Sequence, residues 1–276
     1  MLRQPAVYIN HGGGPMPLLG QQPSVAEFLS AYASKLSARP TAVVIVSAHW
    51  EADVPTVTSG ELHPLLFDYH GFPPETYRYT YDAPGSPNLA ERICGLFQSA
   101  GIKHARDSQR GWDHGVFIPL QLMFPSADVP VVQLSLTSDQ EAQRLLDIGA
   151  ALAPLRDEGV LIIGSGVSFH NFGYLFARDA ATRSAGFAHS RAFDEWLSRV
   201  LTDSTLQPSE RIAALAEWAS RAPSAREAHP KGAAEHLLPL HVVAGAAGGA
   251  AATKVGREAG PDELTAGFAM SSFEFR

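Results

Sequence analysis

One cysteine, Cys94, is all that the 276-residue chain carries. An intrachain disulfide and a thiolate metal cluster are therefore excluded. Its neighbourhood, Ile93-Cys94-Gly95-Leu96-Phe97, reads as a packed core thiol and not a nucleophile. No run approaches the roughly 20 uninterrupted apolar residues of a membrane-spanning helix. Charged residues make up only 18% of the chain, the net charge is -7, and no Lys/Arg cluster occurs. Nucleic acid and anionic membranes, which require a basic face, drop out as main partners. Neither the HExxH of zincins nor the GxSxG elbow of serine hydrolases is present. Without that elbow, His11-Gly12-Gly13-Gly14 does not make an esterase oxyanion loop. The first strand begins near Ala6, which leaves no room for a signal peptide, and a reduced cytoplasmic setting is the expectation.

Histidine is what the chain has in excess, eleven in all. Three of the eleven follow the same grammar. Val7-Tyr8-Ile9 leads through Asn10 to His11 and three glycines. The run Thr41–Ser47 leads through Ala48 to His49, and Gly159–Ser165 leads through Gly166 to His170. Apolar β-branched runs closed by Gly or Pro are strands, so three strand exits each deliver an imidazole.

Between these runs the spacing predicts helices over Ser24–Lys35, Pro87–Ala100, Val116–Met123, Ser138–Pro154, Ser184–Leu201 and Ser209–Ser220. Ser24, Ser86 and Ser138 are the expected N-caps, with Glu141 completing a capping box. Further strands are expected at Ile102–Ala105, Val129–Ser135 and within Thr265–Phe275. The alanine- and glycine-rich segment 233–252 reads as a closely packed helix. His63 to Pro87 is aromatic, proline-rich and aperiodic, which predicts a long ordered loop or lid, with a strand at Tyr77–Tyr81. Strands alternating with helices give an α/β fold. The expectation is a single αβα domain over residues 1–276 with a central, mostly parallel but mixed sheet.

In such sheets ligands sit outside the carboxyl ends of the strands. His11, His49 and His170 all stand there, and converging neutral imidazoles suit zinc or iron. A further ligand is expected from the segment Ala228–His241. There Glu235 and His236 stand at the mouth of the alanine-rich helix, and His241 reads as a core histidine.

These motifs resemble the class III extradiol ring-cleavage dioxygenases related to protocatechuate 4,5-dioxygenase β subunits, and most of all the DOPA 4,5-dioxygenase type. The matching segments are His11-Gly12, Ser47-Ala48-His49-Trp50-Glu51, Tyr69-His70-Gly71-Phe72-Pro73, Asp113-His114-Gly115, Gly164-Ser165-Gly166 with His170-Asn171, and Glu235-His236-Leu237-Leu238-Pro239-Leu240. The resemblance implies a mononuclear non-haem metal at the carboxyl ends of the strands. It implies His11, His49 and His236 as ligands, with Glu235 or His229 as alternatives for the third. It further implies His170 as the acid/base histidine and His114 as a second catalytic histidine lining the pocket. His229, Tyr69 and Gly12 are the candidate substrate contacts. Iron(II) is expected for activity on a catechol with O2, zinc(II) can occupy the same residues, and a homodimer is within the family's habit. Arg78, Arg110 and Lys231 are the cations considered for a substrate carboxylate. The alternatives are a zinc-dependent hydrolase on the same scaffold and a metal-binding protein without turnover. The glycines after His11 either make room for substrate or form a tight turn.

Overall fold

The computed structural model describes residues 2–256, 259 and 263–276. Eight strands form one sheet: β1 (Ala6–Asn10), β2 (Ala42–Ala52), β3 (Thr56–Thr58), β4 (Ala105–Asp107), β5 (Val131–Thr137), β6 (Val160–Gly166), β7 (Thr253–Val255) and β8 (Ser272–Phe275). Their order is β4-β3-β5-β2-β6-β1-β8-β7. The four central strands β5, β2, β6 and β1 are mutually parallel, whereas β3, β8 and β7 each join a neighbour antiparallel. The sheet is therefore mixed and mostly parallel, as expected.

The β-branched runs are central because they are apolar on both faces. Alternation along β2 sends Val44 and Val46 into one core and Val43 and Ile45 into the other. The first core lies under the helices Pro87–Ser99, Ala142–Leu152, Ala180–Thr202 and Pro239–Ala246. The second lies under Pro23–Tyr32 and His114–Met123. This is the αβα arrangement.

Several local expectations are corrected. Tyr77–Tyr81 is not a strand; a 3-10 turn over Pro74–Arg78 takes its place. The fourth strand starts at Ala105, not Ile102. Ser24 does not cap its helix, which begins at Pro23, because its hydroxyl donates to Glu263 instead. The helix expected from Ser138 begins at Ala142. Gln140 takes φ +53° and the Asp139 carboxylate accepts from the Glu141 amide, so a turn precedes the helix. The alanine-rich helix is shorter than expected and is confined to Pro239–Ala246. Ser86 does cap its helix, accepting from the Leu89 amide. No helix among the described residues is long and apolar enough to cross a membrane.

Candidate metal centre and active site

Since β2, β6 and β1 are adjacent and parallel, their carboxyl ends share one rim. His11 follows β1 directly, and its amide donates to the Gly166 carbonyl at 3.2 Å. His49 corrects the expectation of a strand exit at Ser47, for β2 continues to Ala52. Its pairing with β5 is interrupted between Val46 and Glu51, and His49 lies in that irregularity. Such breaks re-aim side chains at sheet rims.

A buried polar cluster fixes this one. Ser47 Oγ accepts from the His49 amide and donates to Asp113 Oδ1 at 2.6 Å. Gln133 Nε2 and Arg110 Nη2 donate to Asp113 Oδ2, and Arg110 also donates to the His49 carbonyl at 3.1 Å. Burial pushes the Asp113 carboxyl above the usual range, against the pull of Ser47 and Gln133.

His236 arrives from the turn before Pro239. Its carbonyl accepts from Tyr8 Oη at 2.7 Å and from the Val167 amide at 3.0 Å. Gly166 permits this docking, since a Cβ there would lie 2.0 Å from the His236 oxygen.

The imidazoles are oriented by oxygen acceptors on their Nδ1 atoms. His11 Nδ1 is 2.9 Å from Ser165 Oγ, whose own proton goes to the Gly115 carbonyl. Ser165 can then only accept, so His11 carries its proton on Nδ1 and turns a lone pair out on Nε2. His236 Nδ1 lies 2.9 Å from Glu235 Oε1. His49 Nδ1 stands 3.5 Å from Asp68 Oδ2. The other oxygen of Asp68 takes His114 Nδ1 at 2.8 Å and the His114 amide at 2.9 Å. His49 Nε2 and His11 Nε2 face each other at 3.3 Å. His170 stacks on His236 with ring centroids 3.5 Å apart, and its Nδ1 is 3.7 Å from Glu235 Oε1.

Two groups bring their ligand atoms within 4.8 Å of one another: His11, His49 and His114, and His170, Glu235 and His236. The His236 ring sits 5.5 Å from that of His11 and 4.9 Å from that of His49. Burial, reinforced by the neighbouring imidazoles, holds His11 and His236 well below the ordinary histidine range, His49 at about 3 and His170 at about 4. All four are therefore neutral donors at pH 7. Burial opposes ionisation of Asp68, but the hydrogen bonds it accepts from His114 outweigh that and hold its carboxyl below the usual range.

A cavity of about 520 Å³ opens over these rings. His11, His49, His114, His170 and His236 line it, together with Gly12 and Tyr69. Gly12 takes φ +81°, and a Cβ would fall 2.5 Å from both Gln22 Oε1 and Pro17 Cγ. The glycines are thus a tight turn as well as cavity wall. Tyr69 spends its hydroxyl on the Thr76 carbonyl at 2.6 Å and presents ring, not phenol.

His229 is not brought to the cavity, which corrects its candidacy as a substrate contact and as an alternative third ligand. It is fully buried among Phe193 and Trp218, with Nε2 on the Ser168 carbonyl at 2.9 Å. His241 is buried likewise and bonded to the Leu215 carbonyl, a core histidine as expected. Asp68, Ser165 and the orienting role of Glu235 were missed by sequence reasoning. Asp68 carried no signal beyond its place in the aromatic loop.

Comparison with known proteins follows the same line. A family model described as the catalytic LigB subunit of aromatic ring-opening dioxygenase matches residues 4–269. The chain is 41% identical over 244 residues to a Beta vulgaris protein named 4,5-DOPA dioxygenase extradiol, covering 87% of this chain and 86% of that one. It is 37% identical over 255 residues to the Hapsidospora irregularis dioxygenase tasH, covering 88% and 78% respectively. The crystal structure of an uncharacterized Escherichia coli K12 protein superposes with a TM-score of 0.74 at 29% identity, covering 99% of this chain and 100% of the other.

Proposed function

This chain belongs to the family of catalytic LigB subunits of aromatic ring-opening dioxygenases, and on that premise we propose that it uses iron(II), held by His11, His49 and His236, to cleave a DOPA-like catechol with O2. It is an extradiol enzyme of class III and so an oxidoreductase.

The observation that carries the metal assignment is the pair of Nε2 atoms 3.3 Å apart. Two ligands on one ion at metal–nitrogen distances of about 2.1 Å are separated by about 3.0–3.4 Å. With its proton committed to Ser165, His11 turns a lone pair on His49 Nε2, whose Nδ1 faces Asp68. Two facing lone pairs repel, and a cation between them relieves the repulsion. His236 supplies the third donor on this reading, since Glu235 fixes its Nδ1 and its ring faces both of the others. When bound, iron(II) supplies the redox chemistry that dioxygen requires and that zinc lacks.

The chain's own residues do the rest. Neutral His170 lines the cavity and can take a proton from a catechol hydroxyl and return it after cleavage. Once protonated, it has Glu235 Oε1 3.7 Å from Nδ1 to balance its charge. His114, held by Asp68 through Nδ1, turns its other edge to the cavity to hydrogen-bond a reacting oxygen. Tyr69 and Phe72, with rings 5.5 Å apart, wall the site against water.

Loading the protein with iron(II) under argon, then adding oxygen and a panel of catechols, tests the reading. Oxygen uptake with a yellow ring-opened product is expected. Turnover of esters or amides with zinc alone, and none of catechols, would overturn it. One competing ligand set has a specific observation in its favour: the ligand atoms of His11, His49 and His114 all lie within 4.8 Å of one another. Alanine at His236 abolishes metal binding on the first set, alanine at His114 on the second.

A further inference from the structure

We infer that Asn10 and Gln22 select the substrate: their carboxamide NH2 groups hold an acceptor oxygen, carbonyl or carboxylate, on the substituent of the catechol. The inference rests on the dioxygenase reading for the catechol head and on the cavity wall for the substituent. The two side chains flank the glycine turn that follows β1. Asn10 Oδ1 accepts from the Gly12 amide at 2.9 Å, and Gln22 Oε1 accepts from the Gly13 amide at 2.7 Å. Only the oxygen of a carboxamide can meet a backbone N–H, so neither side chain can be flipped. Both NH2 groups are thereby turned away from the turn. Both residues line the cavity shared with His11 and His49.

These donors are underused. Asn10 Nδ2 has only Met270 Sδ, a weak acceptor, at 3.9 Å. No described residue accepts from Gln22 Nε2, although Gln22 is only 2% exposed. That nitrogen is not sealed in the core either, so it opens on the cavity. Met16, Phe72 and Met270 stand in the same wall, and a Cβ on Gly13 would lie 3.1 Å from Met16 Sδ. A substituent entering this corner covers the two donors. A hydrocarbon leaves them desolvated and unpaired, whereas an acceptor oxygen pairs them. His70 and Thr265 also stand in the wall, but both are more exposed than Gln22 and so discriminate less. Arg110 is spent on the His49 carbonyl and Asp113, and Arg78 and Lys231 are not in the wall. The carboxamides take the role considered for these cations. A bound divalent ion favours a carboxylate and Asp68, in the same wall, opposes it; the acceptor oxygen is the shared requirement.

Three catechols of matched shape test this: 3-(3,4-dihydroxyphenyl)propionate, 4-(3,4-dihydroxyphenyl)butan-2-one and 4-(3-methylbutyl)catechol. Titration calorimetry under argon on zinc-loaded protein, where no turnover occurs, should show at least one of the first two binding about tenfold tighter than the third. An advantage of the ketone alone marks a neutral acceptor, and of the propionate alone a charged one. Asn10→Asp and Gln22→Glu keep the oxygen that the turn needs and replace the NH2. Each should cut the advantage about tenfold while moving the hydrocarbon by less than about threefold. Gln22→Met takes the same test if urea unfolding shows Gln22→Glu to be unfolded. Tightest binding of the hydrocarbon by the wild-type protein overturns the inference. So does equal weakening of all three catechols in the variants, which a purely structural role in the turn predicts. Iron(II) and oxygen then separate the two readings. If the binding preference holds and none of the three is opened, the dioxygenase reading fails and the subsite stands; if all are opened without preference, the reverse follows.

Discussion

Gly166→Ala tests how the chain brings His236 to the rim. The added methyl would sit 2.0 Å from the His236 carbonyl oxygen, which belongs to backbone and cannot rotate away. To reach even a tight contact the carbonyl must retreat by about 1 Å or more. That movement stretches its bonds from Tyr8 Oη, now 2.7 Å, and from the Val167 amide, now 3.0 Å, out of hydrogen-bonding range. Overpacking costs about 1–3 kcal/mol and each lost bond about 1 kcal/mol net. A loss of about 3–5 kcal/mol in urea unfolding of the metal-free protein is expected. A domain with about 5–15 kcal/mol of stability survives this, so metal binding can be measured on folded variant. Zinc affinity, measured against a chromophoric chelator, should fall about a hundredfold, as ligand displacements of this kind do. Tyr8→Phe removes one of the two bonds without the clash and should cost only about 1 kcal/mol. An unchanged urea midpoint for Gly166→Ala would refute the packing argument. Wild-type zinc affinity in the folded variant would remove His236 from the ligand set and leave His114 as the third donor.

Three further outcomes are expected. Asp68→Asn keeps the shape of the side chain but removes the charge that orients both His49 and His114; zinc affinity should fall about tenfold to a hundredfold with little change in urea midpoint. Asp113→Ala strands the donors of Ser47, Gln133 and Arg110 in a fully buried place, and should cost about 3–5 kcal/mol in urea unfolding together with loss of metal through His49. Burial holds His229 at about 3 and His241 at about 4, whereas the unfolded chain protonates each near pH 6.5. As pH falls below about 6.5 the unfolded state binds the extra protons, so the metal-free protein should lose about 1.4 kcal/mol per pH unit for each histidine until the folded pKa is reached. Urea midpoints from about pH 7 to about pH 4.5 measure this, and His229→Gln should remove one proton's share of the slope.

The rim was legible because its determinants are local. A β-branched run ended by glycine fixes a buried strand and its exit, and three such exits sufficed to place His11 and His170 and to bring His49 near. The aim of His49 was not legible. It depends on an irregularity in β2 held by Asp113, Gln133 and Arg110, whose meeting is a property of the assembled fold. The choice between His229 and His236 was equally hidden, since both lie in one polar segment of sequence. What separates them is the Gly166 surface that accepts the His236 carbonyl and the Phe193–Trp218 pocket that swallows His229. Element starts failed where a side chain competed for backbone donors, as Asp139 does before Ala142.

The division of labour follows from this. Strands fix where the imidazoles stand, because parallel pairing leaves little freedom at the rim. The carboxylates come from elsewhere: Asp68 from the aromatic loop and Glu235 from the turn before the last long apolar helix. Around a divalent cation these two formal negative charges balance the ion while the donors themselves stay neutral, and in a half-apolar cavity such charges act over several ångströms.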